Sequence, residues 1–293
     1  MRFAELYPHM TRIVLASPVD IECREMPVAY EMIADQSCID IEFNSVSVFS
    51  CPHHRVVPIK FVLAELCYML SGRNDAESIV SYNAAMKHYV DADGKINGAY
   101  GYRMQHQLAV AIDRILRDIH TRQACVSIYN EDDGKTTTRT HLPCNTLLQF
   151  MYRNRKLFLI VTSRSSDFVT GYSIDALHWQ ALAILMKNQL VDAGMEIDAI
   201  EIVYNISSLH IYESDVEEVH DWGLVKTEEE QSEHFIEFKT LTLRDAMMRA
   251  KQMFRGGLST VELGNVLCLD TISMHKVMAM EELFVTHRNK IMR

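Results

Sequence analysis

The sequence lacks paired cysteines. Its seven cysteines, at 23, 38, 51, 67, 125, 144 and 268, are odd in number and show no CxxC spacing. That argues against a disulfide framework or a zinc finger and fits a reduced, cytoplasmic protein. Cys51-Pro52-His53-His54 offers metal-ligand chemistry, but no further ligand stands nearby, so a surface turn is the better reading. No apolar run reaches membrane-spanning length, and the opening MRFAELYPHMTR has no signal-peptide core. Positive charge is scarce: 29 Lys and Arg against 39 Asp and Glu give a net charge of −10. A surface that coats nucleic acid is therefore not expected, nor a membrane partner, while a local arginine cluster can still hold a small anion. There is no internal repeat and no low-complexity segment. What is present is 48% hydrophobic residues in 293, enough for one large domain or two modest ones.

Residues 143–180, PCNTLLQFMYRNRKLFLIVTSRSSDFVTGYSIDALHWQ, organise the rest. Residues 147–152 and 156–162 read as strands, with Arg153 and Asn154 offering the turn between them. The loop at 163–167 is dense in hydrogen-bonding groups. After Gly171, an apolar run over 174–190 predicts a helix. One short unit thus brings together a thiol (Cys144), a guanidinium (Arg164), hydroxyls and two carboxylates (Asp167, Asp175).

Elsewhere, residues 11–16 suggest a short strand, and 24–27 a loop. Alternation over 39–49 predicts a strand. Residues 60–70 read as an apolar helix stopped by Ser71-Gly72, with Glu65 inside it, an odd place for a carboxylate. Residues 91–101 form a polar loop ending near Tyr100. Leu108, Ile112, Ile115 and Ile119 stand at helical spacing. Residues 124–129 predict a strand and 131–140 a polar hairpin or excursion. Residues 199–206 alternate as a strand that leads into His210 and Tyr212. Beyond Trp222 the composition shifts to an acidic run and two helical patterns, at 243–254 and 271–284, separated by Gly256-Gly257. The expected organisation is a catalytic domain over residues 1–222, with a helical extension, 223–293, packed on it.

Five segments in order resemble the thymidylate synthase superfamily: Ala64-Glu65-Leu66; Gly98-Ala99-Tyr100-Gly101; Pro143-Cys144 with Gln149-Phe150; Arg164-Ser165-x-Asp167-x-x-x-Gly171; and Ser208-Leu209-His210-Ile211-Tyr212. They cover roughly residues 24–212. The resemblance implies an α/β (α+β) fold, a large twisted mixed sheet with flanking helices, paired back-to-back in a homodimer. It implies a pyrimidine nucleoside 5′-monophosphate substrate and methylenetetrahydrofolate, with no metal.

The resemblance also assigns roles. Cys144 becomes the nucleophile, although composition alone favours a buried structural cysteine. Glu65 becomes the general acid/base and water-ordering group, with Tyr100 in its hydrogen-bond network. Arg164 and Ser165 would hold phosphate, with Arg122 donated across the dimer and a looser match at Arg24. His210 and Tyr212, two apart on a strand and so on one face, would bind the sugar. The folate would meet Asp167, Gly171 and Met86; for Asp167 a loop-capping role is the alternative.

Asp175 stands where thymidylate synthases carry Asn, and where the family's bacteriophage cytidylate hydroxymethylases carry Asp. A carboxyl group matches cytosine's amine better than uracil's carbonyl. Asn205-Ile206-Ser207-Ser208-Leu209-His210-Ile211-Tyr212 also resembles those hydroxymethylases. Asn145 replaces the His after the nucleophile, Gln123 the second Arg of a pair, Ser163 the Gln before Arg164, and Met86 a Trp. There is no match to the tail that closes the synthase site. These departures point to water entry and 5-hydroxymethylation of dCMP or CMP. The rival readings are a thymidylate synthase or dUMP hydroxymethylase, and a catalytically silent binding or assembly protein.

Overall fold

The structure is a computed structural model that describes residues 1–23, 26–41, 44–50, 57–135, 142–223, 232–238 and 240–291. Arg24 and the Cys51-His53-His54 group lie outside the described residues.

Helix α1 (Phe3–Val14) precedes the hairpin of β1 (Pro18–Cys23) and β2 (Met26–Ile41), and β3 (Ser45–Ser50) follows. Helix α2 (Ile59–Ser71), the short α3 (Ala76–Val80) and a 3₁₀ turn (Ala84–Tyr89) lead to α4 (Tyr100–Arg117). Next come β4 (Cys125–Ser127), α5 (Glu131–Lys135), β5 (Asn145–Arg153), β6 (Lys156–Ser163) and β7 (Ser166–Asp167). A π-turn (Phe168–Tyr172) enters α6 (Ser173–Asp192), which is followed by β8 (Ala199–Tyr212) and α7 (Val216–Gly223). The described residues end with β9 (Ser232–Glu237), α8 (Leu243–Met253), α9 (Thr260–Val266) and α10 (Thr271–Ile291).

Seven strands form one mixed sheet in the order β1-β2-β8-β6-β5-β4, with β7 also beside β8. β8 runs parallel to β6 and β7, and the other pairings are antiparallel. A two-stranded sheet joins β3 to β9. The inner face of the large sheet carries Leu148, Phe150, Leu159, Val161, Ile202 and Tyr204, all fully buried. They pack on α6, which is buried almost all round. The polar residues of α6 earn their burial through backbone bonds. Gln180 pairs with both the N–H and the carbonyl of Ser47 on β3, at 2.9 and 3.3 Å. The outer face carries Leu147, Met151, Phe158, Ile160 and Val203, each partly exposed.

Several expectations need correction. Residues 11–16 are not a strand but the end of α1. Phe3, Leu6, Tyr7, Met10 and Val14 recur at helical spacing and are buried, and this period outweighs the local β-branched content. Residues 39–49 are not one strand: β2 ends at Ile41 and pairs with β8, while β3 starts at Ser45 and pairs with β9, and Asn44 between them has φ 55°. The hairpin turn lies one residue later than expected. Arg153 pairs with Lys156, and Asn154 and Arg155 adopt φ of 50° and 60°, the two positive values a tight hairpin requires. The expected hairpin at 131–140 begins instead with α5, and residues 136–140 lie outside the described ones. α9 was not expected, although Ser259 and Glu262 form the reciprocal cap that starts it. Ile119, expected on the buried stripe of α4, follows that helix and is 43% exposed.

Two glycines matter to the site. Gly72 ends α2 in the left-handed region, φ 69°, with its N–H on the Met69 carbonyl. A Cβ on Gly101 would lie 1.8 Å from that same carbonyl oxygen. Only glycine lets α4 start this close to α2, and that contact brings Tyr100 toward the helix bearing Glu65.

Candidate active site

β5 and β6 present the ends that carry Cys144 and Arg164 to one another. Both the N–H of Arg164 and the hydroxyl of Ser163 donate to the Cys144 carbonyl, at 2.9 and 3.1 Å. Ser163 also reaches the Ser165 carbonyl at 2.8 Å. The Arg164 guanidinium donates to the carbonyls of Pro143 and Leu142, at 3.1 and 2.9 Å, and its Nη2 lies 3.9 Å from Cys144 Sγ. Positive charge therefore sits beside a partly exposed thiol. The hydroxyl of Ser165, the next residue, makes no hydrogen bond among the described residues.

Below the thiol lies a polar cluster in an apolar wall. The Asn145 Nδ2 donates to Asp175 Oδ2 at 2.6 Å. The Tyr204 hydroxyl donates to Asn145 Oδ1 at 3.0 Å and lies 3.4 Å from Asp175 Oδ2. Burial pushes the Asp175 carboxyl up to about 7, against the lowering effect of these two donors. Glu65 on α2 is pushed up to about 8, first by burial and then by the charge of Asp175. Its side chain is still 27% exposed, so water at the mouth tempers that shift. His178 Nε2 lies 4.0 Å from Glu65 and 3.1 Å from the Val62 carbonyl. Burial lowers His178 to about 4, so it is neutral and supplies no counter-charge. Tyr100 stacks on Trp179 at 5.8 Å, reaches Asn145, and is raised by burial and by the charges of Asp175 and Cys144.

A second cluster forms where β7 meets β8. Asp167 pairs in register with His210. His210 and Tyr212 make an edge-to-face contact at 4.9 Å, on one face as their spacing predicts. Ser208 links His210 Nδ1, at 3.5 Å, to Glu31 on β2, at 2.5 Å. Asp167 caps the π-turn: its carboxylate accepts from the N–H groups of Val169 and Thr170, at 2.9 and 3.3 Å, and from the Thr170 hydroxyl. Gly171 closes over Ser166, whose buried hydroxyl has no hydrogen-bond partner among the described residues.

The structure thus brings together Cys144, Glu65, Tyr100, Arg164 and Asp175, and separately Asp167, Gly171, His210 and Tyr212. Arg122 lies elsewhere. Gln149, on the outer face of the sheet, donates to its carbonyl at 2.8 Å, and the exposed Arg122 guanidinium has no partner among the described residues. Met86 sits on the 3₁₀ turn, partly buried against the core. Sequence reasoning missed Tyr204 and took Asn145 only as a departure. The available signal was a tyrosine on the inner face of a buried strand, whose hydroxyl needs a partner there.

A thiol beside a guanidinium, with two raised carboxyls near it at the strand ends of a mixed sheet, defines a site for covalent and acid–base chemistry. The sequence model of the thymidylate synthase family matches residues 6–267, so the chain belongs to that family. Two proteins named deoxyuridylate hydroxymethyltransferase are similar. One, from Bacillus phage SP01, is 30% identical over 199 residues, covering 61% of this chain and 49% of its own. The other, from Pseudomonas phage M6, is 33% identical over 131 residues, covering 42% and 37%. The chain thus spans half or less of these relatives' lengths. The thermostable thymidylate synthase A from Bacillus subtilis has a similar structure, with TM-score 0.62 and 17% identity over 77% of this chain and 85% of that one. Among the described residues no group of three His, Cys, Asp or Glu is placed to hold a metal, and no helix is long and apolar enough to cross a membrane.

Proposed function

We propose that this protein hydroxymethylates C5 of a cytidine nucleoside 5′-monophosphate, with methylenetetrahydrofolate as one-carbon donor. The observation that carries this reading is Asp175, placed beneath Cys144 with Oδ1 free of any hydrogen bond among the described residues. An amide there would present a fixed donor and acceptor to uracil. A carboxyl group accepts from cytosine's amine and, holding one proton, also donates to N3.

Cations beside a thiol favour its nucleophilic form, and Arg164 supplies one to Cys144. Cys144 adds to C6 of the base, so electron density builds at C5. Methylenetetrahydrofolate, held at Asp167, would supply an electrophilic methylene for C5; loss of the C5 proton to a base with tetrahydrofolate as leaving group would then give the exocyclic methylene. Glu65 orders a water for addition to the exocyclic methylene, and Cys144 departs as the C5–C6 double bond re-forms. Asn145 in place of the family's histidine and the half-buried Met86 in place of its tryptophan would leave room for that water, which favours hydroxymethyl over methyl. Asp167, whose oxygens keep lone pairs beyond their capping bonds, suits a pterin edge rich in N–H groups. Ser165, His210 and Tyr212 would take phosphate and sugar. Two copies would pair through the partly exposed outer sheet face, each donating Arg122 to the other's phosphate site.

A second reading, a uridylate substrate, draws support from the names of the two phage relatives. The test is turnover of CMP, dCMP, UMP and dUMP with methylenetetrahydrofolate, with mass analysis of the product. A hydroxymethylcytidylate formed without dihydrofolate is expected. Asp175→Asn should shift the cytidylate-to-uridylate ratio of kcat/KM toward uridylate by about tenfold or more, since a mismatched buried polar contact costs about 1–3 kcal/mol. Dihydrofolate rising in step with product, or a wild type that prefers uridylate, would overturn this assignment.

A further inference from the structure

A neutral carboxyl group is ambiguous. With its proton on one oxygen it offers a pyrimidine edge a donor toward position 4 and an acceptor toward N3, which suits uracil. With the proton on the other oxygen the pattern reverses and suits cytosine. A carboxyl group that selects one base must therefore have its proton assigned to one oxygen.

The cluster around Asp175 makes that assignment. Oδ2 accepts from Asn145 Nδ2 at 2.6 Å, so it serves as the acceptor oxygen. The Asn145 amide is held in that sense from its other end, because the Tyr204 hydroxyl donates to Asn145 Oδ1 at 3.0 Å. The same hydroxyl lies 3.4 Å from Oδ2, near enough to share its proton with that oxygen. Oδ1 has no hydrogen-bond partner among the described residues. Tyr204 is itself packed on all sides. It is fully buried on β8 and stacks on Tyr172, with ring centroids 5.7 Å apart and planes 15° apart.

We propose that Tyr204 is a specificity-determining positioning residue: by holding the Asn145 amide against Oδ2 of Asp175, it keeps the carboxyl proton on Oδ1 and so fixes which pyrimidine edge is accepted. The proposal rests on Asp175 reading the base. Without the Tyr204 hydroxyl the amide keeps only its contact with Tyr100 and turns over more readily, so that either oxygen can hold the proton and discrimination between the bases shrinks.

The other groups facing Asp175 are Glu65 from α2, Tyr100 from α4, and Cys144 with Arg164 behind it; His178 follows one turn on along α6. Of the carboxyls, Glu65 titrates in the same range as Asp175, so pH profiles are taken in a Glu65→Gln background as well.

The test is Tyr204→Phe, which keeps the stacked ring and removes only the hydroxyl. Binding of dCMP and dUMP is measured by calorimetry across pH, alongside kcat/KM for both. The preference between them should fall about three- to tenfold, the scale of one hydrogen bond. The pH midpoint of dCMP binding should move up, because the Asn145 bond that Tyr204 holds in place lowers the Asp175 carboxyl. Tyr172→Phe loses a hydroxyl from the same stack, but one bonded to Ser37 at 3.1 Å, and should change neither quantity. If Tyr204→Phe weakens both nucleotides equally with the midpoint unmoved, the hydroxyl is merely structural and the proposal fails, while a ratio that still responds to Asp175→Asn keeps the base reading intact. If Asp175→Asn leaves the ratio unmoved, the base reading fails and Tyr204's role goes with it.

Discussion

Glu65 shows how one residue's surroundings set its chemistry. In an exposed helix it would ionise near 4.5; buried beside Asp175 it is raised to about 8. Between those two values the folded protein holds a proton that the unfolded chain has lost. Stability from this residue is therefore greatest below about pH 4 and falls as pH rises toward 8. Glu65→Gln removes the penalty. Its melting temperature should exceed wild type at pH 8 by roughly 2 °C, for about 1 kcal/mol, and match it near pH 4. Thermal denaturation monitored by circular dichroism at the two pH values decides this: an equal gain at both would mean that buried charge is not the cause. Glu65 inside an apolar helix was legible in the sequence. The neutrality of His178, its neighbour, was not, because it follows from the way α6 packs against α2.

At the scale of elements, the helices after residue 240 hold the helix that carries Glu65. Phe254, at the end of α8, is 2% exposed. It meets Tyr68 on α2 edge-on at 6.2 Å and stacks on Tyr82 at 6.0 Å. The Tyr82 hydroxyl bonds the Arg255 carbonyl at 2.9 Å and accepts from Leu258 N–H at 2.7 Å. Phe254→Ala should cost about 3–5 kcal/mol in urea unfolding, the cost of emptying an aromatic site in a packed core. A loss under about 1 kcal/mol would show that α8 is loosely attached. The helical patterns that produced α8 and α10 are visible in the sequence as spaced apolar residues. The turn-by-turn period of α1 was equally present, but its β-branched end at Thr11, Ile13 and Val14 masked it.

For the whole molecule, the outer sheet face and Arg122 belong to one question. Leu147, Phe158 and Val203 lie on a face that no helix among the described residues covers, and Arg122 lies beside it at the edge. In the proposed homodimer each Arg122 serves the partner's site. A chain carrying Arg122→Ala mixed with one carrying Cys144→Ser would then regain activity, up to about a quarter of wild type if subunits mix at random. Each parent alone should be nearly inactive, and Cys144→Ser should still bind nucleotide. Hybrids that form, shown by native mass spectrometry, yet recover no activity would place Arg122 outside the site.

The order of motifs and the strand–turn–strand–helix unit at 143–190 were readable from residues alone, and Cys144, Glu65, Arg164 and Asp175 were singled out through the resemblance those motifs carry. Local period, turn chemistry and motif order are properties of neighbours along the chain. The sheet order was not readable that way. β8 enters between β2 and β6 because its apolar inner face completes the wall over α6, and that choice depends on the packing of distant segments. The hydrogen-bonded set of Asn145, Asp175 and Tyr204 is of the same kind. Its members come from β5, α6 and β8, far apart in sequence, and only the folded sheet brings their polar atoms within hydrogen-bond reach of one another.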